Sequence, residues 1–490
     1  MATSNRRGTQ LVYLLLAPLM IVQGAAATCA SAQTEPAFTE HRPNIVVILI
    51  DDLGTEWLGC YGGDAALTPR IDALAQSGTR FANFYAMPLC TPTRVTLLTG
   101  QYPFRHGWVD HWDVPRWGRG CHFDPDCHVT FPQLLQRAGY TTVIAGKWQI
   151  NDFRVDPDVL RRHGFDDWCM WTGYETGNPP SAERYWNPYV HTRSGSKARP
   201  GEFGPSVFTD FLVDFIRAHR DGPLFVYYPM VLTHAPFTDT PFARGITGKL
   251  DRHRAMVRFT DHLVGRLLDT LDECGLCDDT YVFLLGDNGT AGSVTGRRNS
   301  VQIRGGKNSL GEAGVNVPLI VSRPGTTPSD VTCDALTDLS DIYPTVCQLA
   351  SVEIPPSWFV DGRSFAPHIA TDTLGRSAAD SPRDWVLAMG QGMARATAEG
   401  PRPVRRHADR VIRGPRYKLW IENGAATRLF DLRDDPLETT NLIASADAET
   451  AQARERLIAV WRSQPSEDAL RHYTPTPPQS WDAPAEQTKP

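Results

Sequence analysis

Asn44-Ile45-Val46-Val47-Ile48-Leu49-Ile50 is an uninterrupted apolar, largely β-branched run that ends in Asp51-Asp52. A run of this length without polar alternation is typical of a strand buried on both faces, as in a parallel sheet. Two adjacent carboxylates at the end of such a strand are costly unless a positive group, usually a metal ion, lies beside them. A turn or helix cap that includes Gly54 is the alternative interpretation of the pair.

Further buried strands are predicted downstream, and helices alternate with them. The apolar runs that predict these strands are residues 141–145, 224–228, 281–285 and 317–321. Helices are predicted at residues 71–77, 131–138, 207–218, 252–273 and 341–349, where apolar residues recur at helical spacing or a glycine ends the pattern. This alternation predicts an open α/β sheet with helices on both faces.

The C-terminal part of the chain has a different pattern. Short apolar runs follow one another without intervening helices, and a helical pattern then spans residues 448–463. These runs are residues 385–389, 410–413, 417–421 and 428–431. They predict a small antiparallel sheet with one helix packed on it. We expect a signal peptide at residues 1–32, a main α/β domain at 33–375, a C-terminal subdomain at 376–470 and a Pro-rich tail at 471–490.

Chemically distinctive side chains follow several of the predicted strands. They are Asp51 and Asp52, Lys147, His234, and Asp287 with Asn288. Ligands of open α/β sheets bind beyond the carboxyl ends of the strands, where these residues should meet. Any one of them could cap a turn, but oxygen ligands, a cation and an imidazole together indicate an active site. Lys307 follows Gly305-Gly306, and the missing side chains would let this lysine approach an anion closely.

The stretch Leu89-Cys90-Thr91-Pro92-Thr93-Arg94 precedes apolar residues that continue a helix. Pro92 suits the first helical turn, and Thr91 is the predicted N-cap. Cys90 would then lie just outside a helix N-terminus, where free N–H groups favour an anion. A buried structural cysteine is the other interpretation of Cys90.

Composition and the N-terminus limit the function classes. The 490 residues carry a net charge of -6, so a basic excess for nucleic acid binding is missing. Arg6 and Arg7 precede an apolar run at residues 11–22 and small residues up to Ala32, which predicts export with cleavage near Ala32. Cys29 as a lipoprotein acceptor is an alternative. The sequence predicts no membrane span, because no later segment has eighteen uninterrupted apolar residues.

Cysteine content fits an exported chain. Removing Cys29 with the signal leaves nine of the ten cysteines, an odd number. In an oxidising compartment eight of them could pair. Close spacing suggests pairing of Cys121 with Cys127, Cys274 with Cys277 and Cys333 with Cys347, although connectivity does not follow from sequence. Cys90 is the candidate for the unpaired thiol.

Taken together, the motifs resemble those of the type I, formylglycine-dependent sulfatases of the alkaline phosphatase superfamily. The segment 90–100 resembles the family's modification signature, with Thr93 where Ser is more usual. Further similar blocks are residues 44–52, 286–289, 305–307 and 429–442. The resemblance implies a large mixed, mostly parallel sheet with helices on both faces, a smaller C-terminal antiparallel sheet, and hydrolysis of sulfate esters.

The resemblance also implies residue roles. A maturation enzyme would oxidise Cys90 to formylglycine, whose hydrate would attack sulfur. The metal would be Ca²⁺, with Mg²⁺ as the alternative, and its ligands would be Asp51, Asp52, Asp287, Asn288 and the modified Cys90. Lys147, Lys307 and Arg94 would hold the sulfate oxygens and the formylglycine. His234 would protonate the leaving alcohol.

Two positions depart from the family pattern. Gln149 stands where the block Gly-Lys-Trp-His has its histidine, and glutamine cannot titrate. His106 or a water is then the candidate base, unless that step is slower or the chain has lost catalysis. Gln149 is still expected to contact substrate together with Lys147, His234 and Lys307. Asn316 stands where an arginine is common, beside the predicted site.

Three functions remain open from the sequence. The first is an exported, periplasmic or extracellular sulfuric ester hydrolase that acts on a sulfated small molecule or saccharide. The second is a phosphodiesterase or phosphonate hydrolase of the same superfamily, and the third is a non-catalytic binder of sulfated glycans, suggested by Gln149. A loop at residues 105–127, rich in Trp and Arg, could line a sugar pocket, but aromatic packing of the loop is the commoner explanation.

Overall fold

The computed structural model describes residues 42–112, 114, 122–370, 381–397, 400–402, 405, 407–469, 477 and 479–482. The predicted signal peptide with Cys29, residues 115–121 of the Trp- and Arg-rich loop, the polar stretch at residues 371–380 and most of the predicted tail lie outside the described residues. Within the described part of the chain, no helix combines the length and apolar character that spanning a membrane requires.

The predicted strands and helices are all present, and β5 and several shorter elements that were not predicted accompany them. The strands are β1 (Asn44–Ile50), β2 (Thr79–Phe81), β3 (Phe84–Tyr85), β4 (Thr141–Lys147), β5 (Asp167–Trp171), β6 (Tyr189–Thr192), β7 (Gly195–Ala198), β8 (Leu224–Pro229), β9 (Thr280–Gly286), β10 (Thr295–Arg298), β11 (Val301–Arg304), β12 (Leu319–Ser322), β13 (Val331–Cys333), β14 (Thr337–Asp338), β15 (Val386–Met389), β16 (Arg395–Thr397), β17 (Gly400–Arg402), β18 (Arg410–Arg413), β19 (Tyr417–Glu422) and β20 (Ala425–Asp431). The α-helices are α1 (Pro69–Gln76), α2 (Cys90–Thr99), α3 (Pro103–His106), α4 (Phe131–Arg137), α5 (Val159–Arg162), α6 (Gly204–Ala218), α7 (Lys249–Glu273), α8 (Glu312–Val315), α9 (Ile342–Leu349) and α10 (Ala448–Arg462).

A large mixed sheet forms the centre of the fold. Among the described residues it has ten strands in the order β13-β2-β12-β9-β1-β8-β4-β5-β6-β7. The central strands β9, β1, β8, β4 and β5 are parallel to one another. β12 runs antiparallel to β9, and β6 and β7 add an antiparallel edge. The predicted mixed, mostly parallel sheet is therefore confirmed.

β1 is buried on both faces, as its apolar run predicts. Ile45 and Val47 contact an apolar cluster on one face, to which α2 and α4 contribute side chains. The alternate residues Val46 and Ile48 contact a second cluster, which includes side chains of α1, α6 and α7. The helices on both faces shield the strand backbone from water, so ligands approach at the strand ends.

A second, smaller sheet follows in the C-terminal part of the chain. β15, β18, β19 and β20 form it in that order, all antiparallel. Leu457 of α10 packs in one apolar cluster with Leu387, Ile412 and Leu419 of this sheet. The predicted antiparallel sheet with a packed helix is confirmed.

Two of the suggested cysteine pairs are wrong. Cys274, Cys277, Cys333 and Cys347 are all free thiols. Each packs as a small apolar side chain in or against a core cluster, and burial raises the pKa of Cys347 to about 12. Sequence spacing did not bring their side chains into disulfide geometry. The third suggested pair includes Cys121, which lies outside the described residues.

Candidate active site

Two aspartates at the end of β1 meet two residues at the end of β9. Asp51, Asp52 and Asp287 are at most 1% exposed. The Asp52 backbone N–H donates to Asp287 Oδ1 over 3.0 Å, and Asn288 Nδ2 donates to Asp52 Oδ1 over 2.8 Å. Asp52 also has a φ of 60°, a left-handed conformation that few non-glycine residues adopt. The predicted convergence of these strand ends is confirmed.

Each of the three buried carboxylates has a cation beside it. Lys147 Nζ lies 2.7 Å from Asp51 Oδ2, and Lys307 Nζ lies 2.7 Å from Asp52 Oδ2. Arg94 Nη2 lies 3.0 Å from Asp287 Oδ2, while its Nη1 donates to the Lys147 carbonyl oxygen over 2.7 Å. One site therefore holds both groups of predicted residues. The carboxylate and amide residues are Asp51, Asp52, Asp287 and Asn288, and the cations are Lys147, Lys307 and Arg94.

Burial and crowding set the charge states of the aspartates. Burial alone would raise the pKa of Asp51 and of Asp52, but Lys147 and Lys307 respectively help to outweigh it, so both values are lowered. Asp287 behaves differently, because burial and the negative charge of Asp51 hold its pKa well above the usual range despite Arg94. Further positive charge among these oxygens would relieve that repulsion.

The donor set suits a hard divalent cation. Asp51 Oδ1 and Asn288 Oδ1 are buried without a hydrogen-bond partner. One ligand atom each from Asp51, Cys90 and Asp287 lie within 4.8 Å of one another, as do those of Asp51, Asp52 and His234. Clustered carboxylate and amide oxygens are the donors that Ca²⁺ and Mg²⁺ prefer. The residues present therefore fit the metal that the resemblance implies.

Cys90 is the first residue of α2 rather than a residue outside it. The N-cap is Leu89, whose carbonyl oxygen accepts from the Thr93 N–H over 3.2 Å. The prediction of Thr91 as N-cap is wrong. The Thr91 hydroxyl instead donates to the Trp112 carbonyl oxygen over 3.2 Å and accepts from the Trp112 N–H over 3.3 Å. The loop after α3 thus engages the hydroxyl that would have capped the helix.

His111 lies beside Cys90 and was missed from the sequence. Its Nδ1 is 3.7 Å from Cys90 Sγ and 3.1 Å from Thr91 Oγ1. The His111 N–H donates to the Gly392 carbonyl oxygen over 3.0 Å, and the Ala394 N–H donates back to the His111 carbonyl oxygen over 3.0 Å. A C-terminal segment therefore fixes the backbone at His111, and no local sequence signal reveals a contact of that range.

His106 is not placed for the role of base suggested from the sequence. Its Nε2 lies 3.0 Å from Thr96 Oγ1, and its Nδ1 accepts from the Trp108 N–H over 3.1 Å. Since Nδ1 accepts, the ring proton is on Nε2 and faces Thr96. His106 therefore braces the interior of α2, whereas His111 contacts Cys90.

The aromatic side chains at the start of the same loop belong to the core. Trp108 and Trp112 are at most 1% exposed, and their ring centroids are 4.9 Å apart. They pack with Phe123 in the apolar cluster on the face of the main sheet to which α2 and α4 contribute. The packing interpretation is confirmed for these two residues, and Trp117 lies outside the described residues.

Gln149 and Asn316 occupy different environments. Gln149 follows β4 with a φ of 70°, and its Oε1 is buried without a hydrogen-bond partner. Strained backbone and an unpartnered polar atom are features that proteins keep at functional positions. Asn316 instead donates to Glu312 Oε2 over 3.2 Å, so it supports the packing around α8.

His234 lies on the outer side of the carboxylate cluster. Its Nε2 is 3.8 Å from Asp52 Oδ2, and its side chain is 23% exposed. Burial lowers the pKa of His234 to about 3 in spite of Asp52. Its Nδ1 lies 3.2 Å from Nη1 of Arg184, a neighbour that the sequence did not suggest.

Close loop packing positions Lys307. A Cβ atom on Gly305 would lie 2.3 Å from the Ala291 carbonyl oxygen, and one on Gly306 would lie 2.4 Å from the Ala313 carbonyl carbon. The Lys307 N–H donates to the Thr290 carbonyl oxygen over 3.0 Å. The paired glycines therefore make room for neighbouring backbone, which in turn holds the lysine at Asp52.

A mixed α/β sheet therefore gathers carboxylates, cations, an imidazole and a helix-borne cysteine at its strand ends, as in a hydrolase active site. A sequence model of the Sulfatase family matches residues 43–352, and the chain belongs to this family. It is accordingly a hydrolase of sulfate esters, and enzymes of this family generally use formylglycine and a divalent metal.

Individual relatives agree with the family assignment. The chain is 31% identical over 389 residues to the N-acetylgalactosamine-6-sulfatase of Canis lupus familiaris. This match covers 74% of this chain and 71% of the relative. It is 30% identical over 444 residues to the steryl-sulfatase of Mus musculus, and this match covers 72% of this chain and 70% of the relative. The crystal structure of Ps i-CgsB in complex with k-i-k-neocarrahexaose superposes with a TM-score of 0.71 at 23% identity, covering 88% of this chain and 95% of that one.

Proposed function

We propose that this sulfatase cleaves its ester with a formylglycine made from Cys90 and a divalent cation, Ca²⁺ in preference to Mg²⁺. The observation that carries this proposal is the buried cluster of Asp51, Asp287 and Cys90, whose ligand atoms lie within 4.8 Å of one another. The Oδ1 atoms of Asp51 and Asn288 have no hydrogen-bond partner, which supports a metal cation that these oxygens would coordinate.

The metal ligands are Asp51, Asp52, Asp287, Asn288 and the modified residue 90. A bound cation would stabilise negative charge on the sulfate group and make the attacking hydroxyl more acidic. Ca²⁺ tolerates variable coordination geometry, which suits metal ligands that come from two strand ends and the start of a helix. A maturation enzyme that reads Cys90, Pro92 and Arg94 is the protein partner that this proposal requires.

Lys147 and Lys307 bind the sulfate oxygens, and Arg94 helps to orient residue 90. Lys147 Nζ contacts one oxygen of Asp51, and Lys307 Nζ lies 2.7 Å from both oxygens of Asp52, so each ammonium keeps at least one of its three N–H donors. The remaining donors are available for charge-assisted hydrogen bonds to sulfate. Arg94 contributes mainly by fixing Asp287 and the end of β4, because its guanidinium is already committed to both.

His234 gives the leaving oxygen its proton once the negative charge of the bound ester offsets the burial that lowers its pKa in the free protein, and His111 holds the nucleophile. His234 Nε2 is the imidazole atom nearest the carboxylate cluster, at 3.8 Å from Asp52 Oδ2. His111 Nδ1, 3.7 Å from Cys90 Sγ, is within reach of a hydroxyl on residue 90. The buried, unpartnered Oε1 of Gln149 supports its predicted contact with substrate.

The substrate is a sulfated saccharide. Support comes from solved structures of similar fold, which include Ps i-CgsB with k-i-k-neocarrahexaose and BT4656 with its substrate D-glucosamine-2-N,6-O-disulfate. The enzyme is exported to the periplasm or beyond the cell after cleavage near Ala32. Residues 33–375 form the catalytic domain, and residues 376–470 form the C-terminal subdomain.

Assays with paired model esters test the proposed function. Protein produced with a maturation enzyme should hydrolyse an aryl sulfate, and the Cys90→Ala variant should not. An aryl phosphodiester of the same leaving group is the matched comparison. Faster turnover of the phosphodiester would favour a phosphodiesterase, and binding of sulfated saccharides without any turnover would favour a binding protein. A panel of defined sulfated saccharides then identifies the substrate.

A further inference from the structure

Arg184 lies on the side of the His234 ring that faces away from the carboxylate cluster. Its Nη1 is 3.2 Å from His234 Nδ1, whereas the other ring nitrogen is directed toward Asp52. Arg184 is only 3% exposed. A buried positive charge therefore contacts the imidazole that is the proposed proton donor to the leaving group.

This arginine lacks the carboxylate partner that three other buried arginines of the described residues have. Arg94, Arg383 and Arg410 are also at most 5% exposed, and each forms an ion pair with a buried aspartate. Among the described residues, no carboxylate oxygen lies within 4.0 Å of the Arg184 guanidinium. A buried charge without an opposite charge is costly, so proteins rarely keep one without a reason.

Aromatic side chains hold Arg184 in place without neutralising it. The guanidinium lies 4.1 Å from the centre of the Trp171 ring, and Nη2 donates to the Tyr174 hydroxyl over 2.7 Å. A guanidinium has five N–H donors, and the buried Nε of Arg184 has no partner. The aromatic contacts fix the orientation of the cation. They leave both its charge and part of its hydrogen-bonding capacity available.

We propose that Arg184 binds a second anionic group of the substrate, either a carboxylate or an additional sulfate, on the sugar ring that carries the scissile ester. This proposal rests on the proposed function. Arginine recognises carboxylate and sulfate oxygens with paired N–H donors, which matches the unused capacity of this guanidinium. Arg184 contacts one nitrogen of the His234 ring and the proposed proton donor is the other, so one sugar residue is large enough to reach both groups. The preferred substrates are therefore doubly charged saccharides.

Three related substrates and three variants test the proposal. The substrates are a neutral sugar with one sulfate ester, the corresponding uronic acid with the same ester, and the corresponding disulfated sugar. The variants are Arg184→Gln, Arg184→Lys and Arg244→Gln. Arg244 is the matched control, because it is an exposed arginine whose guanidinium lies 3.9 Å from the Trp186 ring centre. Thermal unfolding verifies that each variant is folded.

We expect Arg184→Gln to raise KM for the doubly charged substrate about 10- to 100-fold, the range of a lost charge-assisted contact. KM for the singly charged ester should change little, and Arg184→Lys should restore part of the loss. Arg244→Gln should leave the preference between substrates unchanged. A selective loss with the uronic acid identifies a carboxylate as the ligand, and a selective loss with the disulfated sugar identifies a sulfate.

Equal losses with all three substrates would overturn the proposal and assign Arg184 to the positioning of His234 alone. Calorimetric binding of the same sugars to Cys90→Ala protein, with and without Arg184→Gln, gives the answer without turnover. Equal affinity for singly and doubly charged sugars there would also overturn it. A wrong proposed function would show itself separately, because the wild-type protein would then fail to hydrolyse an aryl sulfate.

Discussion

His111 Nδ1 lies 3.7 Å from Cys90 Sγ, although 21 residues separate the two in sequence. The contact depends on a third part of the chain, because the His111 backbone exchanges hydrogen bonds with Gly392 and Ala394. An imidazole therefore contacts the predicted nucleophile in a chain that has Gln149 at the family's usual histidine position.

Replacing His111 should slow catalysis. We expect His111→Phe to lower kcat by about 100-fold, because the hydrogen bond to the hydroxyl of residue 90 is lost while the aromatic volume stays. KM for an aryl sulfate should change much less. The control is His219→Gln, at an exposed position at the end of α6. An unchanged kcat in His111→Phe would remove His111 from the mechanism.

Restoring the family histidine should be tolerated. We expect Gln149→His to retain or raise turnover, because an imidazole can accept a proton and the amide cannot. The backbone favours this change as well, since histidine is among the residues that adopt a positive φ such as the 70° at this position. Steady-state kinetics on an aryl sulfate measure the effect. An inactive but folded variant would instead assign a specific role to the glutamine amide.

Calcium should stabilise the protein. Since burial and the negative charge of Asp51 raise the pKa of Asp287, we expect chelation to lower the unfolding temperature and Ca²⁺ to restore it in a concentration-dependent way. At 100 times Kd the gain corresponds to about 2.7 kcal/mol. Asp287→Asn should lose most of this response. An unfolding temperature that is indifferent to Ca²⁺ and Mg²⁺ would contradict the predicted metal site.

Protonation of His163 should destabilise the fold at acidic pH. Burial lowers the pKa of His163 to about 3, while the unfolded chain has the ordinary value of 6.5. The unfolded state therefore binds more protons below pH 6.5, so stability is complete above that pH and falls as the pH drops toward 3.

The His163→Gln variant measures this contribution. Its side-chain amide can keep the hydrogen bond that Nε2 makes to the Phe123 carbonyl oxygen over 3.0 Å, but it cannot gain a proton. Between pH 7 and pH 5 the free energy of unfolding should fall by about 2 kcal/mol less in the variant than in the wild type. Urea unfolding at both pH values provides the comparison, and parallel losses would refute the prediction.

The sequence predicted most of the strands whose two faces are buried, and β5 is an exception, because its run contains Asp167 and is short. β1, β4, β8 and β9 read as continuous apolar runs because helices cover both sides of the sheet. β7 was not predicted, since all of its residues are exposed and polar or small. The hairpin β10–β11 is similarly exposed along most of its length. Burial produces the pattern that sequence reasoning detects, and exposed edge strands lack it.

The residues of the candidate site also fall into those that the sequence predicted and those that it missed. Asp51, Lys147 and Asp287 were found because parallel strands deliver their ends to one edge of the sheet. Arg184 and His111 come from irregular segments whose positions depend on distant contacts. Arg184 is held by Trp171 and Tyr174, and His111 by Gly392. Single residues of this kind carry no local spacing signal.

Mass spectrometry of the tryptic peptide from Phe81 to Arg94 reveals directly whether Cys90 becomes formylglycine. In protein produced by its native host or with a maturation enzyme, residue 90 should have lost sulfur and two hydrogens and gained one oxygen, the change from cysteine to formylglycine. The aldehyde should also react with a hydrazide probe, and Cys90→Ser protein prepared alongside should not. An intact thiol at residue 90 in protein from the native host would show that this sulfatase does not use a formylglycine nucleophile.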